Sequence, residues 1–342
     1  MIKLEVGEFS QTDWNKVVSD YSDLSMIQTW EYGQAKAQNS SWKAHRGVFT
    51  DDGNAVAAVQ VMVREIPGLK RGLAWINRGP LWHRSQNQDD ILQGLLEQIR
   101  QFWAIKHNLY VRVALPLQAQ ETPSQEALKS LDYQRARCLG WSSMRLDISV
   151  PEEVLRKGLQ QKWRNCLHKS ERLDLKLQMG SDGALLRDFL FDYKHMIEER
   201  KLSTGMTPEF LESMQNLLPA DQKMVVLRCF YQDKAVASVL LARYGQVAEY
   251  FAGVVGKEGR AVNAGHLLLW RGVCAMKAMG HRWFDLGGAD PNLTPDGIMH
   301  FKMGLGGAPY RLAEEIETYR KDLMTRFVRW RVCRVRKETA SV

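Results

Sequence analysis

Cysteine is scarce in this chain of 342 residues, and the five present are scattered: Cys138, Cys166, Cys229, Cys274 and Cys333 form no Cys-x-x-Cys pair and no Cys/His cluster. An odd, dispersed set speaks against a disulfide framework or a zinc site and for a reducing compartment. The first residues, Met1-Ile-Lys-Leu-Glu-Val6, lack the basic and apolar regions of a secretory signal, and no apolar run approaches a membrane span. The expected location is cytoplasmic. No Ser/His/Asp or Cys/His arrangement presents a nucleophile, so direct transfer is expected over a covalent intermediate. Positive charge is thin over most of the chain. Of the net +8, residues 320–342 carry +6, which leaves +2 for the other 319 residues.

What remains is the composition of an ordinary globular protein, 45% hydrophobic and 25% charged. Its length exceeds what one core usually supports, so two domains are the default. Period-two apolar patterns around Asp51-Asp-Gly-Asn54 predict a hairpin over residues 42–64, and those around Tyr231-Gln-Asp-Lys234 predict another over 223–243. In each half a strand, a long helix and a further strand follow the hairpin. This order of elements, found twice, predicts an α/β (α+β) protein of two lobes of one type with a boundary near Gly140. The expected division is 1–140 and 141–318, with a strand over 310–318 and a helix over 319–342 that packs back on the first lobe.

The most chemically suggestive stretch is His281-Arg-Trp-Phe-Asp-Leu-Gly-Gly-Ala-Asp290, continued by Gly297 to Gly307. It reads as a strand ending at Asp285, where open α/β sheets place ligands, followed by glycines that free backbone amides for anions. Lys302 adds one cation among Gly304, Gly306 and Gly307. His281 and His300 flank the site and read as satisfied or solvated side chains.

Five pieces, in order, resemble the FemABX family of aminoacyl-tRNA-dependent transferases. They are Gln28-Thr-Trp-Glu-Tyr-Gly-Gln-Ala-Lys36, Asn77-Arg-Gly-Pro80, Lys162-Trp-Arg-Asn-Cys-Leu-His-Lys169, Phe284-Asp-Leu-Gly-Gly288 and Phe301-Lys-Met-Gly-Leu-Gly-Gly307. The resemblance implies two tandem GNAT-like acyltransferase lobes that build peptidoglycan interpeptide bridges. It implies that Lys36 and Arg200 contact phosphates of a nucleotide- or lipid-linked muramyl peptide, and that Tyr250 lines the acceptor site. Phe301 and Lys302 would sit at the reacting ester, Lys302 as the catalytic electrophile; Trp30, Arg164 and Asp285 complete the implied substrate contacts. Two departures stand out. The acid-proline step expected at the end of the first-lobe strand is absent from Val111-Arg-Val-Ala-Leu-Pro116, and no long coiled-coil arm fits between Arg200 and Lys223. The chain resembles the compact members.

The implied chemistry is attack of an acceptor amine on an activated acyl ester, with no cofactor beyond the donor itself, aminoacyl-tRNA or acyl-CoA. An acyl-CoA-dependent N-acyltransferase of the same fold is the first alternative, because Gly256-Lys-Glu-Gly-Arg-Ala-Val-Asn-Ala-Gly265 could seat a pyrophosphate at a helix start. A non-enzymatic RNA-binding module is the second, and the near-neutral body argues against it. In the tail, Leu323, Phe327 and Trp330 recur at helical spacing among arginines, the pattern of a basic amphipathic helix on an anionic membrane or a tRNA. Its first half, to about Phe327, is expected to pack on the first lobe and the arginines beyond to face a partner.

Overall fold

In the computed structural model, which describes all residues except 70, 85–87, 137, 203 and 340–342 and side chains except those of 88, 89 and 334–339 in addition, the chain forms two compact units. Strands β1 (Lys3–Gly7), β2 (Lys43–Asp51), β3 (Asn54–Ile66), β4 (Arg71–Asn77), β5 (Leu81–Trp82), β6 (Tyr110–Ala114) and β7 (Gln134–Arg135) come first. They are followed by β8 (Ser142–Asp147), β9 (Leu175–Gly180), β10 (Val225–Tyr231), β11 (Lys234–Tyr244), β12 (Val247–Val255), β13 (Trp283–Asp285), β14 (Ala308–Arg311) and β15 (Ile316–Thr318). One sheet runs β1-β2-β3-β4-β6-β15-β7, with β5 beside β3; the other runs β14-β8-β13-β12-β11-β10-β9.

The two sheets repeat one plan. The tight hairpin β2/β3 turns at Asp52 and Gly53, both at positive φ, and β10/β11 turns at Gln232 and Asp233. Each hairpin leads into an antiparallel strand that pairs in parallel with the next one, β4 with β6 and β12 with β13. A parallel pair needs a crossover, and helices supply it. The first crossover is Gln88–Ile99, which continues as a π-helical segment, Arg100–Lys106; the second is Ala264–Ala278. Helix Ala264–Ala278 is apolar nearly all round, burying Leu267, Leu268, Leu269, Trp270, Val273 and Met276. Gly272 lets it lie close to β11: a Cβ there would sit 2.9 Å from Leu241. In the first unit, Leu95, Leu96, Ile99 and Trp103 pack against Val59, Val61, Ile76 and Val111 of the sheet.

The expected strand over 310–318 is instead two strands in two sheets. Residues 308–311 pair in the second sheet, whereas β15 inserts between β6 and β7 of the first. The first unit is therefore 1–141 with 311–342, the second 142–310, and residues 311–318 leave the lobe to which the sequence pattern gave them. The cause is Glu317. This fully buried acid on β15 accepts hydrogen bonds from Tyr110 of β6, from Gln134 Nε2 of β7 at 2.6 Å and from Arg329 at 2.6–2.7 Å. Its partners all lie in the first unit, so β15 follows them.

Arg329 belongs to the C-terminal helix Leu323–Thr339, which packs on β4 and β6 in that unit. The division expected near Phe327 is therefore corrected: Phe327 is about half exposed, while Val328, one residue on, is buried and Arg329 is tied to Glu317. A helix repeats every 3.6 residues, so its buried face passes through both halves. The side chains of Arg334, Arg336 and Lys337, also expected to face a partner, lie outside those described.

Glu317 is fully buried whereas Arg329 is partly exposed, so losing the guanidinium leaves a buried carboxylate short of one hydrogen bond. Arg329→Met is therefore expected to destabilise the protein by about 2 kcal/mol, and Arg329→Met/Glu317→Gln to recover part of the loss. Thermal or urea denaturation of the three proteins checks this; a parent-like midpoint for Arg329→Met refutes it.

Candidate active site

The second unit gathers its chemistry where β12 and β13 run side by side. Their register sets Glu249 opposite Asp285, and both are buried. Two acids at paired positions repel each other in a site closed to water. Asp285 is held by three hydrogen-bond donors and one ion pair. Its Oδ1 accepts from the Ser143 hydroxyl and from the Gly287 amide at 2.9 Å; its Oδ2 accepts from the Tyr310 hydroxyl at 2.6 Å and lies 3.7 Å from Arg145 Nε. Glu249 accepts from the Tyr244 hydroxyl at 2.7 Å.

Between strand and helix the chain makes the glycine turn that the sequence suggested. Gly287 has φ +66°, and a Cβ there would lie 2.9 Å from the Tyr250 carbonyl oxygen. Only glycine meets both demands. The same imagined Cβ would be 3.9 Å from Glu249 Oε1 and 3.9 Å from Lys302 Nζ, which places the acid and the ammonium around one small volume.

Lys302 reaches that volume from helix Asp296–Met303. It is 7% exposed, donates to the Gly288 carbonyl at 2.6 Å and lies 5.8 Å from the centre of the Tyr250 ring. Burial pushes its pKa down to about 8, against the pull of Asp285 and Glu249 in the opposite direction. Burial also raises the Tyr250 phenol, to about 12, so it remains a neutral donor at neutral pH. Tyr250 stands beside a register shift between β11 and β12, a bulge that re-aims side chains next to it. Phe301 packs edge-on to His266 at 5.1 Å, and His266 likewise meets Trp163 at 5.0 Å. Burial holds His266 down to about 4, so it serves as a neutral ring.

The structure thus brings Lys302, Asp285 and Tyr250 together, with Phe301 adjacent. Arg164 and Arg200 belong to the same unit, and Trp30 and Lys36 to the first. Arg164 donates to the carbonyls of Lys157 and Leu159 at 3.1 and 2.8 Å, closing the end of helix Glu152–Gly158 rather than reaching the Lys302 cluster. Arg200 is exposed at the last position of helix Gly183–Arg200, seven residues beyond Tyr193. Trp30 and Lys36 are in the first unit, at opposite ends of helix Trp30–Gln38. Trp30 donates to the Phe9 carbonyl at 3.1 Å and carries the Arg46 guanidinium 5.2 Å from its ring centre. Lys36 is partly buried, and burial, then Arg64, lowers its pKa.

Four participants escaped the sequence reading: Glu249, Ser143, Tyr310 and His266. Glu249 is one residue from Tyr250 within a strand pattern, and the alternation there could have flagged a buried acid. Ser143 and Tyr310 become neighbours of Asp285 only through the sheet order. His266 gave no signal.

The glycine loop 256–265 is arranged for packing more than for phosphate. Gly256 N–H donates to the Val236 carbonyl at 3.0 Å, and a Cβ on Gly259 would lie 2.2 Å from that same oxygen. Residues 257–261 coil into a short helix instead of an open cradle. Among the described residues, no group of three His, Cys, Asp or Glu side chains is placed to hold a metal, and no helix is long and apolar enough to cross a membrane.

Residues 155–310 match the acetyltransferase (GNAT) domain family. No curated protein sequence matches the chain. Among solved structures, FemX superposes with a TM-score of 0.80 at 14% identity, covering 95% of this chain and 100% of FemX. A tandem GNAT protein from the clavulanic acid biosynthesis pathway gives 0.53 at 13% identity, covering 92% and 98%. L-PGS from Bacillus licheniformis gives 0.52 at 10%, covering 95% and 96%. The second unit thus matches the acetyltransferase (GNAT) domain family over residues 155–310, and the chain has the two-lobe GNAT-like fold of FemX over nearly its whole length.

Proposed function

We propose that this protein is an aminoacyltransferase that moves an aminoacyl group from aminoacyl-tRNA to an amine of a peptidoglycan precursor, a nucleotide- or lipid-linked muramyl peptide. The observation that carries the reading is Lys302: an ammonium buried beside a glycine turn. Burial raises the Cys229 thiol to about 11 and the Cys274 thiol to about 12, which keeps both protonated at neutral pH. An aminoacyl ester is already activated. The enzyme has to orient the acceptor amine and stabilise the tetrahedral oxyanion, and a preorganised buried cation does the latter well. In this mechanism the amine attacks the ester carbonyl, Lys302 faces the developing oxyanion, and the intermediate collapses with release of the tRNA hydroxyl. Phe301 and Tyr250 shape the apolar walls around the ester. Lys36 and Arg200 supply cations for acceptor phosphates, as the family resemblance implies.

An acyl-CoA donor is the rival reading of the same fold. The packing of Gly256 and Gly259 on Val236 favours tRNA, because it uses the glycines that a pyrophosphate cradle would need. Incubation with radiolabelled aminoacyl-tRNA and, separately, radiolabelled acyl-CoA decides between them; label reaching a muramyl peptide only from acyl-CoA overturns the proposal.

Lys302 also makes a stability prediction with a definite sign. Its folded pKa lies below the unfolded value of about 10.4, so folding sheds a proton between pH 8 and 10 and stability rises with pH across that window. Below pH 8 the buried charge costs on the order of 3 kcal/mol, partly offset by the Gly288 bond. Lys302→Met is expected to melt above the parent at pH 7, with the gap closing toward pH 10, while turnover drops about 100-fold or more. Calorimetry and steady-state rates check both; full activity in the folded variant removes Lys302 from the mechanism.

If Lys36 and Arg200 bind acceptor phosphates, Lys36→Ala and Arg200→Ala should raise the acceptor KM more than they lower kcat. The effect should shrink with an acceptor fragment that has no phosphate. Equal losses on both acceptors contradict the role.

A further inference from the structure

The C-terminal helix wears part of its apolar surface outward. Leu323 is 82% exposed, Phe327 46% and Trp330 53%, and Met324 is exposed beside them. These residues fall at i, i+4 and i+7, one stripe of a helix. Phe327 and Trp330 stack with ring centres 5.8 Å apart. The remaining exposed residues between Leu323 and Arg331 are Arg326 and Arg331, and that span contains no acid. A solvated helix normally turns such a stripe inward; here the inward face is already filled by Thr325, Val328 and Arg329.

A cavity of about 560 Å³ lies against the same helix in the first unit, lined by Trp42, Ile66, Leu73 and Trp75 of the sheet side and by Phe327 and Val328 of the helix. Phe327 thus belongs to both the outer stripe and the cavity wall. Arg64 and Arg331 also line it, and the acid in its lining, Glu65, is already bridged to Lys43 at 2.8 Å. The volume is that of an ordinary ligand site, apolar with a few placed charges. Apolar walls with guanidinium groups match one chemistry: an acyl chain that carries an anionic head.

We propose that this helix seats the protein on an anionic phospholipid bilayer, Leu323, Phe327 and Trp330 entering the interface, Arg326 and Arg331 meeting lipid phosphates, and one acyl chain occupying the cavity. The surface is independent of the transferase reading and stands whichever donor the site uses. An aromatic and aliphatic stripe flanked by arginine is suited to the boundary between headgroups and chains. Residues 320–342, with their net +6, add attraction to an anionic leaflet.

The test is co-sedimentation of the full chain with vesicles of phosphatidylcholine alone or mixed with phosphatidylglycerol. Binding is expected to the mixed vesicles and to weaken as salt rises. Arg326→Gln/Arg331→Gln should lower partitioning about 25-fold, about fivefold for each basic group lost. Leu323→Ser/Phe327→Ser should also weaken binding, including in the low-salt range where charge alone is strongest. Vesicles with bromine-labelled acyl chains should quench tryptophan emission, less so in Trp330→Phe and in Trp42→Phe. Circular dichroism melts establish that the variants are folded. Equal sedimentation with neutral and mixed vesicles, parent-like binding by both double variants, or binding of tRNA that competes while vesicles do not sediment the protein overturns the proposal. Quenching insensitive to Trp42→Phe overturns chain entry into the cavity.

Discussion

Two carboxylates removed from water organise the two units, and Asp285 is the one on which the chemistry rests. A buried carboxylate must fill its lone pairs or lose its charge. Asp285 fills them from β8 (Ser143), from its own turn (Gly287) and from the residue before Arg311 on β14 (Tyr310), with the Arg145 guanidinium as an ion-pair partner. Those bonds fix the end of β13, and with it the glycine turn whose Gly288 carbonyl receives Lys302. Asp285 is the post to which the site is fastened. Glu317 plays the corresponding part in the first unit, gathering β6, β7 and the C-terminal helix around β15.

The motifs that signalled the family are explained by packing as much as by substrate. Gln28 donates to the carbonyls of Asn77 and Gln60 at 2.8 and 3.1 Å and accepts from the Gln60 amide at 2.8 Å. Gln60 in turn donates to Thr29 and is met by Arg46, and a Cβ on Gly33 would lie 2.3 Å from its side chain. The stretches 28–36 and 77–80 are one interlocked assembly. In the second unit, Trp163 donates to the Phe301 carbonyl at 3.0 Å, Gln160 to that of Gly304, and a Cβ on Gly304 would lie 2.4 Å from the Trp163 ring. The stretch around 163 therefore positions the backbone that carries Lys302.

This division shows what a sequence can and cannot announce. Alternation, turn residues and helix periodicity are local, so both hairpins, both crossover helices and the parallel strands were legible, as was the glycine turn at 287–288. The fate of residues 310–318 was not, because a strand's sheet is chosen by partners far away: Glu317 meets Tyr110 across 207 positions. Lys302 was legible as a cation among glycines, but its depressed pKa was not, since burial is a property of the assembled unit. Arg164 lies within a family motif, and what its guanidinium bonds, the end of a helix, could not be read from the motif.

The route of the chain has a consequence for biosynthesis. Because 311–342 completes the first unit, that unit is discontinuous, and the contiguous stretch 142–310 lies between its parts. During vectorial synthesis the second unit can close as soon as it emerges, whereas the first waits with the flank of β6 unpaired and Glu317 not yet supplied. An open strand edge on a nascent chain invites pairing with a neighbour. Residues 311–342 act as the latch that ends this exposure. A chain broken off after residue 310 would thus leave the lobe made first unfinished and the lobe made second intact.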